Sequence, residues 1–254
     1  GSAWLSLPGY LPQVLKSGVD TRLILLCTDD NHPNTLVNEG GMDRALRAVL
    51  ECGCDPVTAL QFATINAAQC LGVDQDMGSV TPGKCADMVL LPDLESFVPD
   101  MVFIDGEKVA EAGRPLFDHE LFEWPDFMTH TMNVGRDFTA ADFRIPVDHA
   151  DGTCRVRAIG GVGGSTITED AIIEVPVVDG CLQANPEADA LKMAVFDRHH
   201  GAEGTHSYGF CTGFGVHGAL AQTVSHDSHN LLVVGDNDED MALAAQTLVE
   251  CGGG

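Results

Sequence analysis

The clearest pattern along the chain is an uninterrupted apolar run, Leu23–Leu26, that soon gives way to two adjacent carboxylates, Asp29 and Asp30. A continuous run of this kind predicts a buried parallel strand over residues 23–28. Catalytic groups of α/β barrels lie at the carboxyl ends of such strands, and two acids there are costly to bury unless a metal, a proton or hydrogen bonds compensate for them. Asp29 and Asp30 are therefore the first candidate catalytic residues. An Asp after a strand can instead cap the following helix, but the helix we expect next begins only near Met42.

Helical spacing of apolar residues is found on both sides of this segment. Residues 1–22 are expected to be rich in helix, with Gly18 as the stop. After a polar loop over 29–41, the spacing predicts a helix over 42–52. A second helix is expected to start at Asp55-Pro56, with the Asp as N-cap and the Pro in the first turn, and to end at Gly72.

The spacing then changes to one typical of strands. Two strand-like runs flank Asp105-Gly106, a dipeptide that favours a hairpin turn, and Gly78–Gly83 is expected to be a turn-rich strand segment. Residues 76–115 are therefore interpreted as a small β unit and residues 116–136 as a connector, with a separate α+β domain expected over 137–254. The elements predicted for that domain are strands over 153–159, 172–178, 191–196 and 231–235, a glycine-dense loop over 209–216 and a helix over 238–248.

Charge and composition narrow the classes of protein. The chain has 38 acidic and 13 basic side chains, a formal net charge of −25, and such a surface repels phosphate backbones, so no nucleic acid is expected as a partner. No apolar run reaches the roughly 18 residues of a membrane span, and no signal peptide is visible. The nine cysteines lack a Cys-x-x-Cys spacing, which favours buried thiols in a reducing cytoplasm. The excess of acids would suit a salty habitat, where salt screens self-repulsion.

A second polar cluster precedes the predicted strand over 231–235. His226, Asp227 and His229 lie in the run Ser225–Asn230, and such groups can bind a metal, shuttle a proton or grip a polar ligand; the alternative is a polar turn that merely feeds the strand. The run 197–200, Asp-Arg-His-His, is similar in kind. Residues 209–218 lack the Lys-Ser/Thr of a phosphate-binding loop, and the chain has no Gly-x-Ser-x-Gly motif.

Three runs, 27–33, 55–68 and 78–91, together resemble the C-terminal part of amidohydrolase-superfamily enzymes. A narrower resemblance, to the bacterial and archaeal adenine deaminases, depends on the Cys-Thr-Asp-Asp run at 27–30 and on motifs in the second half of the chain. Those motifs are Gly213-Phe214-Gly215, the run 226–230, Val234-Gly235 and Asp240-Met241.

The resemblance implies a fold of α/β plus β. Residues 1–75 would be the C-terminal end of a (β/α)8 barrel, 76–115 part of a small β-sandwich, and 137–254 the α+β domain of the family. It also implies a divalent metal centre (Mn, Fe or Zn, binuclear in the intact enzyme), with Asp29 as a metal ligand and proton shuttle and Asp30 orienting its neighbours. The chain contains no His-x-His, so it is expected to be an inactive piece of the enzyme.

The resemblance further implies that the intact enzyme converts adenine to hypoxanthine and forms homo-oligomers. The resemblance does not give the roles of the two histidines; His226, Asp227 and His229 are predicted to contact the substrate, with contact to a second domain as the alternative for the histidines. Two alternatives stay open at this point. One is another amidohydrolase that acts on a cyclic amide or an aminopurine, and the other is a non-catalytic binding or oligomerisation module.

Overall fold

The computed structural model describes residues 7–118, 121–163 and 167–254. Contacts within the chain separate two units, residues 1–121 and 122–254. The boundary between the units lies inside the predicted connector 116–136, and the finer division of the chain stays a prediction. Among the described helices, none combines the length and the apolar composition needed to span a bilayer.

The helices of the first unit follow the capping signals in the sequence. Asp55 accepts hydrogen bonds from the backbone N–H groups of Val57 and Thr58, both at 3.1 Å, and Gly72 ends the last helix with a left-handed φ of 70°. The expected helical approach over 1–22 is confirmed in part, since residues 1–6 lie outside the described ranges. The helices are α1 (Leu7–Lys16), α2 (Pro33–Asn38), α3 (Met42–Glu51), α4 (Pro56–Ala63) and α5 (Ile65–Leu71), with a 3-10 turn at Thr21–Leu23.

Two expectations for these helices were wrong. The helix expected from Pro56 to Leu71 is broken at Thr64, whose hydroxyl donates to the Leu60 carbonyl at 2.6 Å and whose backbone leaves the helical region. A Thr that bonds the preceding turn in this way competes with the helix ladder. The expected loop over 29–41 contains α2, which begins after His32 with Pro33 in its first turn.

The strand predicted over 23–28 is also absent. The segment is extended at Ile24, but no strand among the described residues pairs with it. It is held instead by the Leu26 N–H, which donates to the Phe62 carbonyl at 3.0 Å, and by the Asn66 side chain, which donates to the Ile24 carbonyl at 2.7 Å. A parallel strand needs hydrogen-bonding neighbours, so the apolar run alone cannot form one.

A four-stranded antiparallel sheet completes the first unit. Asp105 and Gly106 have φ values of 50° and 82°, the left-handed pair that a tight hairpin turn requires, which confirms the predicted turn. Gly78–Gly83, expected to contribute a strand, forms turns, because Gly78 and Gly83 are left-handed and Pro82 has no N–H to donate. The strands, in sheet order, are β1 (Met88–Leu90), β2 (Met101–Ile104), β3 (Glu107–Glu111) and β4 (Arg114–Pro115).

The second unit is built on an eight-stranded sheet in the order β11-β12-β9-β10-β6-β7-β8-β5, antiparallel except between β10 and β6. Gly209 lies inside β10, opposite Met193, so the predicted loop over 209–216 was wrong in its first half; pairing with β9 overrides the local preference of glycine. The strands are β5 (Ile145–Pro146), β6 (Gly152–Gly161), β7 (Thr168–Val178), β8 (Cys181–Leu182), β9 (Leu191–Phe196), β10 (His206–Thr212), β11 (Ala219–Gln222) and β12 (Leu231–Gly235), accompanied by the helices α6 (Asp126–Thr129) and α7 (Asp238–Glu250).

Each unit has its own apolar core. The first includes Leu46, Val49, Phe62 and Phe97, packed between α1, α3 and α4. In the second, a cluster of aromatic rings lies under α7, and the buried Lys192 pairs with Asp238 at 2.7 Å near the start of that helix. The residues of this second cluster include Phe138, Phe143, Phe196, Leu231, Val233, Met241 and Ala245. The described residues thus form a mixed α/β architecture with two sheets, and two of the polar runs considered next follow β9 and precede β12, which are neighbours in the second sheet.

Candidate functional site

Asp29 and Asp30 lie at the end of the extended segment of the first unit. Both side chains are exposed, and Asp29 has a left-handed φ of 55°. The Asp30 N–H donates to Asp29 Oδ1 at 2.9 Å, which orients one carboxylate oxygen of Asp29. Because both acids are exposed in this unit, the burial cost expected from the sequence does not arise here.

The described residues do not by themselves form the metal centre implied by the resemblance. Within residues 7–118, 121–163 and 167–254, no group of three or more His, Cys, Asp or Glu side chains is placed to hold a metal ion. Asp29 offers one exposed carboxylate, whereas a catalytic metal commonly takes three protein ligands. The residues described here therefore do not fit a complete metal site.

In the second unit, the structure brings together the two polar runs that the sequence presented separately. β9 ends at Phe196 and β12 begins at Leu231, and these two residues lie opposite each other in the sheet. The residues after β9 and before β12 therefore meet. His199 Nε2 donates to the Ser228 carbonyl at 3.1 Å and joins the two runs. We call residues 197–200 and 225–230 together the histidine junction.

His226, Asp227 and His229 lie on one loop of this junction. The imidazole centroids of His226 and His229 are 5.4 Å apart, and Asp227 Oδ1 is 3.6 Å from His226 Nδ1. The His229 N–H donates to the Ser225 carbonyl at 2.7 Å, and His229 has a left-handed φ of 52°. His226 and Asp227 are exposed and His229 is half-buried, so the loop offers two imidazoles and a carboxylate to a ligand.

Asp197 organises the other half of the junction. Its carboxylate accepts from the backbone N–H groups of His199 at 2.7 Å and His200 at 3.2 Å, and its second oxygen lies 2.7 Å from His200 Nδ1. These hydrogen bonds, the His199 N–H first and the His200 ring second, lower the pKa of Asp197. Asp197 therefore stays ionised and holds the turn that follows β9.

Two further residues of the second unit hold backbone segments in place: Arg198, which lies in the run 197–200 noted from the sequence, and Asp189, which sequence reasoning did not single out. Arg198 donates from its guanidinium to the carbonyls of Thr131 and His229. Asp189 accepts from the backbone N–H groups of Gly213, Phe214 and Gly215, and so fixes one of the motifs that carried the resemblance. The partners of both residues are remote in sequence, 67 and 31 positions away for Arg198 and 24 for Asp189 and Gly213, so no local signal identifies these contacts.

Comparison with known proteins shows which families the two parts of the chain are similar to. A model described as the amidohydrolase family matches residues 10–109, and one described as the adenine deaminase C-terminal domain matches residues 165–254. A crystal structure of an amidohydrolase from Thermotoga maritima MSB8 is 31% identical over 41% of this chain and 26% of its own length, with a TM-score of 0.32.

Curated relatives named adenine deaminase align with the whole chain. The protein of Clostridium botulinum (strain 657 / Type Ba4) is 43% identical, that of Moorella thermoacetica 42% and that of Paracoccus denitrificans 41%. The chain spans only 42–43% of the length of these relatives. These matches confirm the resemblance stated from the sequence motifs: the chain is similar over its whole length to adenine deaminases and corresponds to less than half of the length of these relatives.

Proposed function

We propose that the longer protein containing this chain hydrolyses adenine, so that water replaces the amino group and gives hypoxanthine and ammonia. The observation that carries this proposal is the 43% identity to a curated adenine deaminase over the whole chain. The match spans the whole chain and therefore includes the positions of both Asp29-Asp30 and the histidine junction. A match to the amidohydrolase family alone would leave the substrate open, since that family description names no substrate.

For the fold of the longer protein, we propose that residues 1–75 form the C-terminal end of a (β/α)8 barrel. In this proposal residues 76–115 belong to a small β-sandwich, 116–136 are a connector and 137–254 form the α+β domain. The exposure of Leu25 in the extended segment, and of Leu23 directly before it, supports the barrel, because apolar side chains of a barrel strand would be covered by neighbouring elements.

For the chemistry, we propose that Asp29 handles the proton of the attacking water and contributes one ligand to a divalent metal centre. When bound, such a centre, of Mn, Fe or Zn and binuclear in this proposal, would lower the pKa of the attacking water. The Asp29 carboxylate would accept the proton of that water and return it to the departing amine. The N–H of Asp30 orients Asp29 Oδ1 for this task.

For the histidine junction, we propose that His226, Asp227 and His229 contact the substrate. Neutral imidazoles offer both a donor and an acceptor, which suits the ring nitrogens of a purine. The longer protein is also proposed to assemble as a homo-oligomer.

Product analysis with the longer protein tests the proposal. Purified protein supplied with Mn, Fe or Zn would be incubated with adenine, guanine, cytosine and dihydroorotate. We expect hypoxanthine from adenine and little turnover of the other three. Turnover of guanine or dihydroorotate with none of adenine would assign the chain to another amidohydrolase, and no turnover of any of the four would favour a non-catalytic module.

A further inference from the structure

We propose that Arg198 is a positioning residue that fixes the His226–His229 pair for ligand binding. This inference rests on the proposed function, in which the loop 225–230 contacts the substrate. Arg198 itself is half-buried and is not proposed to touch the substrate. It acts through the backbone of His229.

The guanidinium connects two segments that are remote in sequence. Nε donates to the His229 carbonyl and Nη1 donates to the Thr131 carbonyl at 2.9 Å, while the Arg198 N–H faces Asn230 Oδ1 at 3.4 Å. A guanidinium is planar, presents several donors in a fixed geometry and stays charged at any physiological pH. It can therefore hold both carbonyls at once at any physiological pH.

The backbone of His229 needs such support. Its φ of 52° lies in the left-handed region, which a residue with a side chain keeps only when its surroundings impose it. The His229 N–H is bonded to Ser225 and its carbonyl to Arg198, so both polar backbone groups of the residue are tied. With the backbone fixed in this way, the His229 imidazole is held 5.4 Å from that of His226.

Removing the guanidinium leaves the His229 carbonyl without this hydrogen bond. The hydrogen bond from the His229 N–H to the Ser225 carbonyl is then the one that still holds the backbone of His229. The loop then samples other backbone conformations, and the two imidazoles no longer share one spacing. Binding of a ligand that contacts both rings then includes the free-energy cost of ordering the loop. The affinity of the ligand therefore falls, while the reacting groups are unchanged. The expected signature in the longer enzyme is a higher KM with little change in kcat.

The test uses this chain first, because loop order can be measured without activity. Nuclear Overhauser contacts between the rings of His226 and His229, and amide exchange at His229, would be recorded for the wild type, Arg198→Gln and Arg198→Lys. Arg157→Gln is the matched control, since Arg157 lies on β6 and makes an exposed pair with Asp170. We expect Arg198→Gln to lose the ring contact and to exchange the His229 amide at least about tenfold faster, as loss of a hydrogen bond to a charged group implies. The Lys variant, which keeps one donor, should be intermediate, and the control should match the wild type.

The outcomes separate this inference from the proposed function. An unchanged ring contact and unchanged exchange in Arg198→Gln overturn the positioning role. If circular dichroism shows that Arg198→Gln does not fold, the Arg198→Lys variant alone tests the positioning role. A ring contact and an exchange rate equal to those of the wild type in Arg198→Lys would then overturn that role. In the longer enzyme, Arg198→Gln should raise KM for adenine about tenfold or more and change kcat by less than about threefold. A lower kcat with an unchanged KM would contradict the role of Arg198 in binding. A wild-type enzyme that does not turn over adenine would contradict the proposed function, but it would not affect the result of the loop measurement.

Discussion

At the scale of single residues, the candidate chemistry lies on two loop residues with left-handed backbones, Asp29 and His229, at φ values of 55° and 52°. Left-handed conformations are uncommon for residues other than glycine, although Asp and His are enriched among them. In both cases a neighbouring hydrogen bond secures the residue: Asp30 to the Asp29 carboxylate, and Arg198 to the His229 carbonyl. Such bonds fix which way a functional side chain is presented.

The carboxylate of Asp29 is expected to be essential for turnover. In the longer protein, Asp29→Asn keeps the size of the side chain but removes its ability to take a proton, so turnover of adenine should fall by about 100-fold or more. Folding should change little, since the side chain is exposed. Steady-state kinetics and a thermal melt check both statements.

Asp118→Asn is the control for this substitution, because Asp118 is also an exposed acid of the first unit. It should leave turnover unchanged. An Asp29→Asn enzyme that retains more than about a tenth of wild-type turnover would exclude the proton-shuttle role.

The candidate functional residues could be identified from the sequence, but the residues that hydrogen-bond to them could not. Asp29 follows an apolar run, and His226, Asp227 and His229 form a local polar cluster, so each carries a signal within a few residues. Arg198 contacts Thr131 and His229, which are 67 and 31 positions away. Contacts of that kind follow from the pairing of β9 with β12 and have no local signature.

At the scale of elements, predictions from the local sequence are confirmed where the neighbouring segments favour the same structure. The N-cap at Asp55, the hairpin at Asp105-Gly106 and the strands β9 and β12 are confirmed with the predicted residues. The predictions failed where the outcome depends on partners remote in sequence. Among the described residues, no strand lies beside the segment predicted as a strand over 23–28, and Gly209 belongs to β10 because it pairs with β9. The periodicity of apolar residues describes a single helix or strand, whereas a sheet forms only when several strands pair with one another.

Close packing between β12, β11 and α7 gives a prediction at this scale. A Cβ added at Gly235 would lie 2.6 Å from Met241 Cγ and 2.8 Å from Ala219 Cβ. Gly235→Ala should therefore lower the free energy of unfolding by about 1–3 kcal/mol, the usual cost of overpacking. Urea denaturation followed by circular dichroism measures the difference.

Gly209→Ala provides the comparison, since it is also a strand glycine but its new methyl group would meet only Met193 Cε, at 3.5 Å. That distance is an ordinary contact, so the loss of stability should be smaller than for Gly235→Ala. Equal stability of the two variants would show that the β12–α7 contact is not tightly packed.

At the scale of the whole molecule, the dominant feature is the net charge of −25. Repulsion among the acids opposes the compact state, and dissolved ions screen it over a distance of about 10 Å at 0.1 M salt. The chain should therefore gain stability with salt. Between low salt and 1 M NaCl at pH 7, we expect the melting temperature to rise by at least about 3 °C, the shift that roughly 1 kcal/mol produces in a chain of this size.

The same comparison near pH 4.4, the isoelectric point calculated from the sequence, serves as the control. There the net charge is close to zero, so the gain with salt should largely disappear. An equal gain at both pH values would attribute the effect to salting-out rather than to screening, and the absence of a gain at pH 7 would count against charge repulsion altogether.

The central claim is that this chain supplies Asp29 to an adenine-hydrolysing site that other residues of the longer protein complete. It is tested most directly by measuring hypoxanthine and ammonia released from adenine by the longer protein and by the 254-residue chain alone, under the same conditions and with the same divalent metal. We predict equal amounts of the two products from the longer protein and no product from the chain alone. Release of hypoxanthine by the chain alone, or no release by the longer protein, would contradict the claim.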